Sequence, residues 1–363
     1  MKWYRGFWGS SLGKEDFVAE YHITEIGTLP GGASSTADDI NDRGQVAGAS
    51  DVAGGKGHAF VWTPPAPLQD LGTLPGGGLS DASGISVCGL VAGFSDYLGA
   101  GGGITHAIVW SSAGSMEDLG MLPGGDGSAA VAINACGQVV GTSSVSGGGV
   151  RAFIWSKPGG MVDLGVPPGF ANSGARHINN LGQVVGYCNS PGGVTMRGFC
   201  WSSAAGMRLV SALPGGINTQ ANGINDLGEI AGSSDSGDID KPHAVLWNRA
   251  GVARDLGILA GGSQSVASAI NVHGTVIGNG NCTGSRSHAF VWNATSGMRD
   301  LNTLIPANSG WELQGAEAIN VAGQIVGVGT VNGTQHAFLL TPSCLGKLPA
   351  VPTPPTSISL TVS

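Results

Sequence analysis

The sequence predicts an all-β protein, a seven-bladed β-propeller whose blades are four-stranded antiparallel sheets. Three observations predict this fold: four short words recur along the chain, their spacing matches one propeller blade, and one extra copy of the last word precedes the first repeat. The composition agrees, since 65 of the 363 residues are glycine and only 11% are charged. Many glycines with few charges are typical of sheets joined by tight turns, whereas disordered chains have high net charge and little apolar content.

Each repeat contains the same four words in the same order. The first word ends in isoleucine–asparagine in most copies, the second resembles GQVVG, the third resembles HAFVW, and the fourth resembles DLGTL and is usually followed by LPGG. A unit of about 45 residues with four short strands is the size of one propeller blade, and these strands are termed a, b, c and d. The isoleucine of the first word recurs every 45 to 49 residues, at Ile40, Ile85, Ile133, Ile178, Ile224, Ile270 and Ile319.

The third word explains how similar blades pack against each other. Alternate residues of a strand point to opposite faces, so Ala59 and Val61 face one neighbour while Phe60 and Trp62 face the other. Both faces are apolar, and both are covered when a blade lies between two others. A small residue on one face and a large residue on the other allow repeated blades to interdigitate.

The order of the words predicts how the ring closes. The seventh repeat has strands a, b and c but no clear strand d after Leu340, whereas residues 23–29 (ITEIGTL) form a lone strand d near the start of the chain. Pairing of this N-terminal strand with residues 336–340 completes the last blade and removes an exposed sheet edge. An open superhelix of sheets is the alternative. The expected organisation is an extension at 1–22, the propeller at 23–342, and a tail rich in proline, threonine and serine at 343–363.

The combination of DLGTLPGG, AIN followed by GQVVG, and HAFVW resembles the HAF-repeat family of bacterial extracellular repeat proteins. The resemblance covers all seven repeats and implies a repetitive β-array, secreted or at the cell surface, with no established activity. Arg151 and Arg197 depart from the pattern where histidine is expected, and Ser86 departs where asparagine is expected. The first 22 residues lack the apolar core of a secretory signal, so a cytoplasmic location stays open.

Charge and composition exclude several classes of partner. The formal net charge is −8 and no basic stripe is present, which argues against nucleic acid. No apolar run approaches the 18 or more residues of a membrane span. The glycine runs match no phosphate-binding loop and no CxxC motif occurs, so no cofactor and no zinc are expected. A closed ring is expected to be monomeric.

The repeated histidines are interpreted as structural. Equivalent residues are spread around a ring and cannot converge on one reacting atom. Aspartates of strand d, at positions 70, 118, 163, 255 and 300, are their expected partners. His177 lies off this repeat position, opens a strand a, and is expected to face the central channel. The histidines that share the repeat position are His58, His106, His243, His288 and His336.

The connections between strands b and c differ most between repeats. In an antiparallel blade they emerge on the same side as the d–a connections, and together these loops form a surface termed the loop rim. A constant scaffold with one varied surface predicts binding of a protein or a glycan there. The candidate binding residues are Lys56, Tyr97, Asp235, Asp238, Asp240 and Arg286.

The three aspartates of this set also form a calcium candidate, because three carboxylates lie within six residues. No bidentate glutamate follows at a suitable distance, so solvated loop charges are the favoured interpretation and no metal is expected. Cys188 and Cys200, in strands b and c of the fourth repeat, are a possible cross-strand disulfide.

The sequence leaves more than one function open. The favoured one is a noncatalytic binding or scaffold propeller that engages a protein or glycan through the loop rim. The alternative is a glycan or peptide lyase or hydrolase with a single site at the central channel. Propellers host both classes, so the fold does not decide. A structural element of a surface layer is a third hypothesis. The departures from the repeat that a channel enzyme would use are Asp38, Asp39, Arg176, His177 and Glu317.

Overall fold

The predicted seven-bladed propeller is confirmed by a computed structural model, which describes residues 20–97, 104–111, 114–284 and 286–343. Seven four-stranded antiparallel sheets follow one another around a central channel, and their innermost strands line it. The extension at 1–19 and the tail from 344 onward lie outside the described residues. Within the described residues no helix has the length and apolar character of a membrane span.

The strands fall into four classes by their place in the blade. The innermost strands, a, are β2 (Ser35–Ile40), β6 (Ser80–Ile85), β10 (Ser128–Ile133), β14 (Asn172–Ile178), β18 (Thr219–Ile224), β22 (Ser265–Ile270) and β26 (Trp311–Ile319). Strands b are β3 (Val46–Asp51), β7 (Val91–Asp96), β11 (Val139–Val145), β15 (Val184–Asn189), β19 (Ile230–Ser234), β23 (Val276–Asn281) and β27 (Ile325–Val331). Strands c are β4 (Gly57–Trp62), β8 (Thr105–Trp110), β12 (Gly149–Ser156), β16 (Met196–Ser202), β20 (His243–Trp247), β24 (Ser287–Asn293) and β28 (Thr334–Pro342). The outermost strands, d, are β5 (Gln69–Asp70), β9 (Met116–Asp118), β13 (Gly160–Asp163), β17 (Gly206–Leu209), β21 (Ala253–Asp255), β25 (Gly297–Asp300) and β1 (Tyr21–Glu25).

Blades are numbered by their strand a in chain order, so that blade 1 begins with β2 and blade 7 with β26, and a junction is named by its two blades. Two short 3-10 helices, Pro191–Gly193 and Leu301–Thr303, lie in connections.

The N-terminal strand closes the ring at blade 7, as the lone strand d predicts. Ile23 of β1 lies opposite Leu340 of β28 in an antiparallel ladder. The strand ends before residue 29 because Gly27 adopts a φ of 82° and turns the chain inward. Ile26 and Leu29 are consequently buried at junction 7/1. The closing segment therefore contributes both a strand and core side chains.

The junctions are apolar and follow the large-against-small pattern of HAFVW. Phe60 of blade 1 is fully buried and packs in one cluster with Ala337 of blade 7. The same cluster at junction 2/3 contains Phe153 and Ala107. Five blades place a fully buried phenylalanine at this position, and blades 2 and 5 have Ile108 and Val245 instead. Burial of each such side chain contributes about 1.5–3 kcal/mol.

The two glycines of the second word have separate structural reasons. Gly44 adopts a φ of 76°, and its amide donates to the Asn41 carbonyl oxygen to close the a–b turn. Gly48 lies against a β-bulge in β2, where an added Cβ would collide with the carbonyl oxygen of Thr36. A left-handed φ and a backbone collision each exclude most other residues at these two positions.

The possible disulfide between Cys188 and Cys200 is wrong. Cys188 lies opposite Arg197, and Cys200 lies opposite Val185, so the two cysteines are offset by three residues. An odd offset places them on opposite faces of the blade. Cys188 packs at junction 3/4 and Cys200 at junction 4/5, and both thiols are free.

Candidate functional site

Asparagines at the ends of strands a form a hydrogen-bonded belt around the channel. The Asn41 Oδ1 atom accepts from the amides of Arg43 and Gln45 in its own turn, while its Nδ2 donates across the junction to the Ser86 carbonyl oxygen. We term the set of cross-junction bonds the asparagine belt. It has six links of 2.9–3.2 Å, from Asn41, Asn134, Asn179, Asn225, Asn271 and Asn320 to the following blades.

Five histidines of the repeat position lie beside an acid of the outermost strand. The nitrogen–oxygen distances are 3.0 Å for His58–Asp70, 2.8 Å for His106–Asp118, 2.9 Å for His243–Asp255, 2.6 Å for His288–Asp300 and 3.5 Å for His336–Glu25. The first four pairs tie strand c to strand d by a hydrogen bond, whereas His336 Nδ1 has no hydrogen-bond partner. The last pair uses a glutamate because the closing strand β1 supplies the acid.

The arginines that replace histidine make different contacts. Arg151 Nε lies 4.0 Å from Asp163 Oδ2 in blade 3. In blade 4, where Leu209 stands in place of aspartate, Arg197 Nη2 donates to the Val210 carbonyl oxygen at 2.9 Å. Both arginines therefore still connect strand c to the outer part of the blade or the segment after it.

Asp39 and His177 occupy the same repeat position, one in blade 1 and one in blade 4. Asp39 Oδ2 accepts from the Ile85 amide of blade 2 at 2.8 Å, and His177 Nδ1 accepts from the Ile224 amide of blade 5 at 3.4 Å. Burial raises the pKa of Asp39 to about 6 and lowers the pKa of His177. Both side chains line the channel mouth as predicted for His177, and both also link one blade to the next.

Three further carboxylates lie on the innermost strands of neighbouring blades. Burial is the main cause that raises the pKa of Asp38, and the negative charges of Asp81 and Glu317 raise it further. Burial also raises the pKa of Asp81 and of Glu317. On blade 4, Arg176 lies 5.1 Å from the ring centre of Tyr187 in a cation–π contact. The channel is therefore acidic on the side of blades 7, 1 and 2.

Asp235 belongs to the scaffold rather than to a surface loop. Its Oδ1 accepts from the backbone amides of Ile217 and Asn218, at 2.6 Å and 3.0 Å, and only 3% of the residue is exposed. Asp96 and Asn281 make the same pair of bonds to the preceding d–a loop in their own blades. The end of strand b is thus a repeated cap for the d–a loop.

The other two aspartates of the calcium candidate point elsewhere. Asp238 forms an ion pair of 2.7 Å with Lys241, and the Asp240 amide donates to Asp238 Oδ1. Among the described residues no group of three histidine, cysteine, aspartate or glutamate side chains is arranged to hold a metal ion.

The remaining candidate residues are distributed around the loop rim. Lys56 lies over Gly78 of the following d–a loop. The Tyr97 ring lies 4.5 Å from the His106 imidazole, measured between ring centres. Arg286 Nη1 lies 3.6 Å from Glu312 Oε1. These contacts lie between blades 1 and 2, within blade 2, and between blades 6 and 7.

A cavity of about 340 Å³ opens at the loop rim between blades 4, 5 and 6, and we term it the rim cavity. Its apolar walls are Val194 and Met196 of blade 4, Ile239 and Pro242 of blade 5, and Val266 of blade 6. The capping group Asp235 also lines it. The rim cavity thus combines residues from three successive repeats.

Exposed apolar side chains surround this cavity. Val194 is 76% exposed, Ile239 is 57% exposed, and Ile217 of the adjoining d–a loop is 56% exposed. Contiguous exposed apolar groups on a soluble protein mark interaction surfaces more often than single ones do. Sequence reasoning missed these residues because it selected charged and aromatic loop positions. The available signal was an apolar residue within each of the loops NSPGGVTM and DSGDIDKP.

Comparison with known proteins shows similarity of fold alone. No family model matches the chain, and no curated protein matches it in sequence. The structure is similar to the oligogalacturonate lyase of Vibrio parahaemolyticus, with a TM-score of 0.63, 11% identity, and coverage of 89% of this chain and 94% of that one. It is also similar to an oligogalacturonate lyase in complex with manganese, with a TM-score of 0.59, 12% identity, and coverage of 92% of this chain and 96% of that one.

Proposed function

We propose that the protein is a noncatalytic binding propeller that engages a partner protein through the loop rim, with the rim cavity at the centre of the contact. The observation that carries the proposal is that the exposed residues Val194 and Ile239, from different blades, line one cavity on the most varied surface of the repeat. Binding energy at protein interfaces concentrates in a few apolar or aromatic anchors that fill pockets. A cavity of about 340 Å³ is of the size that receives one such anchor.

A protein is favoured over a glycan by the character of this surface. Its exposed groups are aliphatic, and Asp235 at its floor already accepts two backbone amides. A partner with an aliphatic or aromatic side chain matches such walls by burial of apolar area. The resemblance to extracellular repeat proteins adds the proposal that this partner is met at the cell surface or outside the cell.

The alternative, an enzyme at the central channel, is supported by the carboxylates Asp38, Asp81 and Glu317. Two observations weigh against it. Asp39 and His177 are engaged in bonds between blades, and the repeated histidines are paired with acids in every blade that carries one. A channel enzyme would require turnover that Glu317→Gln abolishes.

Selection from a phage-displayed peptide library tests the binding proposal. We expect selected peptides to carry an apolar or aromatic anchor, and the double variant Val194→Ser/Ile239→Ser to bind them at least tenfold more weakly, which corresponds to about 1.4 kcal/mol. The matched control is Leu227→Ser/Val252→Ser, which removes two similarly exposed aliphatic groups from the a–b and c–d turns on the opposite side. Equal binding by both double variants, or selection of no peptide, would contradict the proposal.

A further inference from the structure

Blade 2 lacks the polar pair that the other blades place at the end of strand a, an asparagine with a glutamine, glutamate or threonine four residues later. In blade 1, Asn41 Nδ2 donates to Gln45 Oε1 as well as across the junction. Blade 2 has Ser86 and Leu90 at these two positions, and the Ser86 hydroxyl accepts from the Leu90 amide at 3.0 Å. Serine has no side-chain amide, so it cannot donate to the Asn134 carbonyl oxygen of blade 3. This missing bond is the single gap among the seven junctions of the asparagine belt.

The substitution of Leu90 also changes what covers the next turn. The Gln138 carboxamide lies beside Gly182 at junction 3/4, and the Gln183 carboxamide lies beside Gly228 at junction 4/5. At junction 2/3 a methyl group of Leu90 takes the same place beside Gly137. Both departures in blade 2 therefore act together to make this junction apolar on the side of the a–b turns.

A cavity of about 630 Å³ lies at the same junction, and we term it the junction cleft. Its apolar walls are Leu90 and Val109 of blade 2 and Ile133, Trp155 and Pro158 of blade 3. The volume falls within the range of about 300–1,000 Å³ typical of small-molecule sites. The gap in the belt, which Ser86 leaves, and the cleft, which Leu90 lines, occur at the same junction.

The indole of Trp155 is less covered than its equivalent in blade 6. Trp292 is 4% exposed, and the guanidinium of Arg254 from the preceding blade lies 4.8 Å from its ring centre. The residue of blade 2 that corresponds to Arg254 is Glu117, which instead pairs with Lys157 at 3.2 Å. Trp155 is half-buried and lines the cleft.

The remaining lining groups are polar and close to neutral in sum. Glu117 and Lys157 balance each other's charge across the junction. The hydroxyls of Ser111 and Ser115 lie 2.7 Å apart, and the Gln138 side chain completes the set. A site with apolar walls and a few hydrogen-bonding groups at its edge fixes the orientation of a ligand by those groups.

We propose that the junction cleft binds one small uncharged molecule that has a planar or aliphatic apolar body and a hydrogen-bonding group at one end. The body lies against Trp155, Leu90 and Val109, and the polar end meets the serine hydroxyls or Gln138. This site lies on the a–b and c–d turn side, away from the loop rim, and is independent of the function proposed for the rim.

Titration with the uncharged fluorescent probe N-phenyl-1-naphthylamine tests the site. We expect saturable binding at one site, and at least tenfold weaker binding by Leu90→Gln because a carboxamide enters the apolar cleft. The matched control Gln183→Leu makes the reverse change at the equivalent position of blade 4 and should leave the affinity unchanged. The double variant Ser86→Asn/Leu90→Gln restores the repeat pair and should also lose binding. If its thermal midpoint equals or exceeds that of the parent, this loss does not result from misfolding.

Alkylation of two equivalent cysteines gives a second readout. Cys136 lines the cleft and is exposed, whereas Cys88 is exposed at the corresponding turn of blade 2 and is not among the cleft residues. Bound probe should slow the reaction of iodoacetamide with Cys136 at least threefold and leave Cys88 unchanged, as measured by peptide mass spectrometry. The proposal is overturned by absence of probe binding, by unchanged affinity of Leu90→Gln, or by loss of binding in Val194→Ser/Ile239→Ser instead.

Discussion

Junctions 7/1 and 2/3 have the same apolar packing and different polar contacts. At junction 7/1, Phe60 packs with Ala337 and Asn320 donates across the junction to the Asn41 carbonyl oxygen at 3.1 Å. At junction 2/3, Phe153 packs with Ala107 in the same way, but the belt has no link there, and the junction cleft lies between the two blades. Two blades therefore stay packed without a belt link, held by apolar interdigitation together with other polar contacts, such as the Ala107 amide donating to Ser128 Oγ and the Glu117–Lys157 ion pair.

The largest expected effect comes from removal of the closing segment at junction 7/1. Deletion of residues 1–29 removes β1, exposes the edge of β28, and takes Ile26 and Leu29 out of the core. Loss of two buried aliphatic side chains alone costs about 4–10 kcal/mol, so we expect loss of cooperative thermal unfolding by circular dichroism and aggregation in size-exclusion chromatography. A peptide of residues 20–30 added in trans should restore part of the signal. A truncated chain with an unchanged melting midpoint would contradict the closed ring.

The next effect separates the two junctions by their polar contacts. Asn320→Ala removes two donated bonds, to Asn41 and Gln324, and one accepted bond from the Gln324 amide, all of them at least partly buried. Ser86→Ala removes one accepted bond from Leu90. At about 0.5–1.5 kcal/mol for each bond, denaturant titration should show a loss of about 2–4 kcal/mol for Asn320→Ala and about 1 kcal/mol for Ser86→Ala. Equal losses would show that the belt does not stabilise the ring.

The two regions also differ in charge, because in the described part of the chain carboxylates cluster near junctions 7/1 and 1/2 and not at junction 2/3. Burial raises the pKa of Asp39 from 3.8 to about 6, and it also raises the pKa of Asp38, Asp81 and Glu317. A raised folded-state pKa means that the folded protein binds protons which the unfolded chain releases, so the stability that these carboxylates contribute is fully present below about pH 4 and is lost as the pH rises through about 6. For Asp39 alone, the contribution to the free energy of unfolding changes by roughly 2–3 kcal/mol over the whole pH range between its unfolded and folded pKa values.

We therefore expect the denaturation midpoint to be higher at pH 5 than at pH 7.5, and Asp39→Asn to reduce this difference. Asp240→Asn in the exposed loop of blade 5 is the matched control, and it should leave the difference unchanged. A midpoint that rises with pH over this range would contradict the assignment of the channel as a cluster of buried carboxylates.

The smallest expected effect is repair of the belt at junction 2/3. Ser86→Asn/Leu90→Gln supplies the missing link to the Asn134 carbonyl oxygen and the amide pair within the turn. One or two added hydrogen bonds contribute about 1–2 kcal/mol, which should raise the thermal midpoint by about 1–3 °C for a domain of this size. Calorimetry measures this shift. A lower midpoint would indicate that the cleft cannot accommodate the pair, so that the two junctions differ in backbone as well as in side chains.

The fold could be predicted from the sequence because the same pattern of large and small strand residues occurs in each of the seven repeats. The blade count and the strand order follow from the spacing of the repeats. The closing role of residues 23–25 follows from the extra strand d that precedes the first repeat. The repeated isoleucine–asparagine word places Asn41 at the end of strand a, but it does not reveal the bond from Asn41 to Ser86, because 45 residues separate the two in sequence. That contact depends on the angle between neighbouring blades, which no local pattern encodes.

The candidate sites were predicted less well, because burial and side-chain direction decide them. In the sequence, Asp235 looks like a carboxylate of the b–c loop. In the structure it directly follows strand β19, and its side chain accepts a hydrogen bond from the Asn218 amide of the d–a loop. Cys188 and Cys200 read as neighbours, yet a three-residue offset places them on opposite faces. Val194 and Ile239 lie in separate repeats and form one surface only after blades 4 and 5 have packed together.

The sequence by itself determined the architecture of this protein: seven blades, the large and small faces of strand c, the glycines of the a–b turns, and closure by the N-terminal strand. These features depend on residues that are close in sequence or equivalent by repeat, so periodicity reveals them. The tertiary structure decided where the candidate sites lie. These are the rim cavity between blades 4, 5 and 6, the acidic side of the channel, and the cleft at junction 2/3. These features depend on how side chains from different blades fill or fail to fill the space between them, and that is a property of the assembled ring.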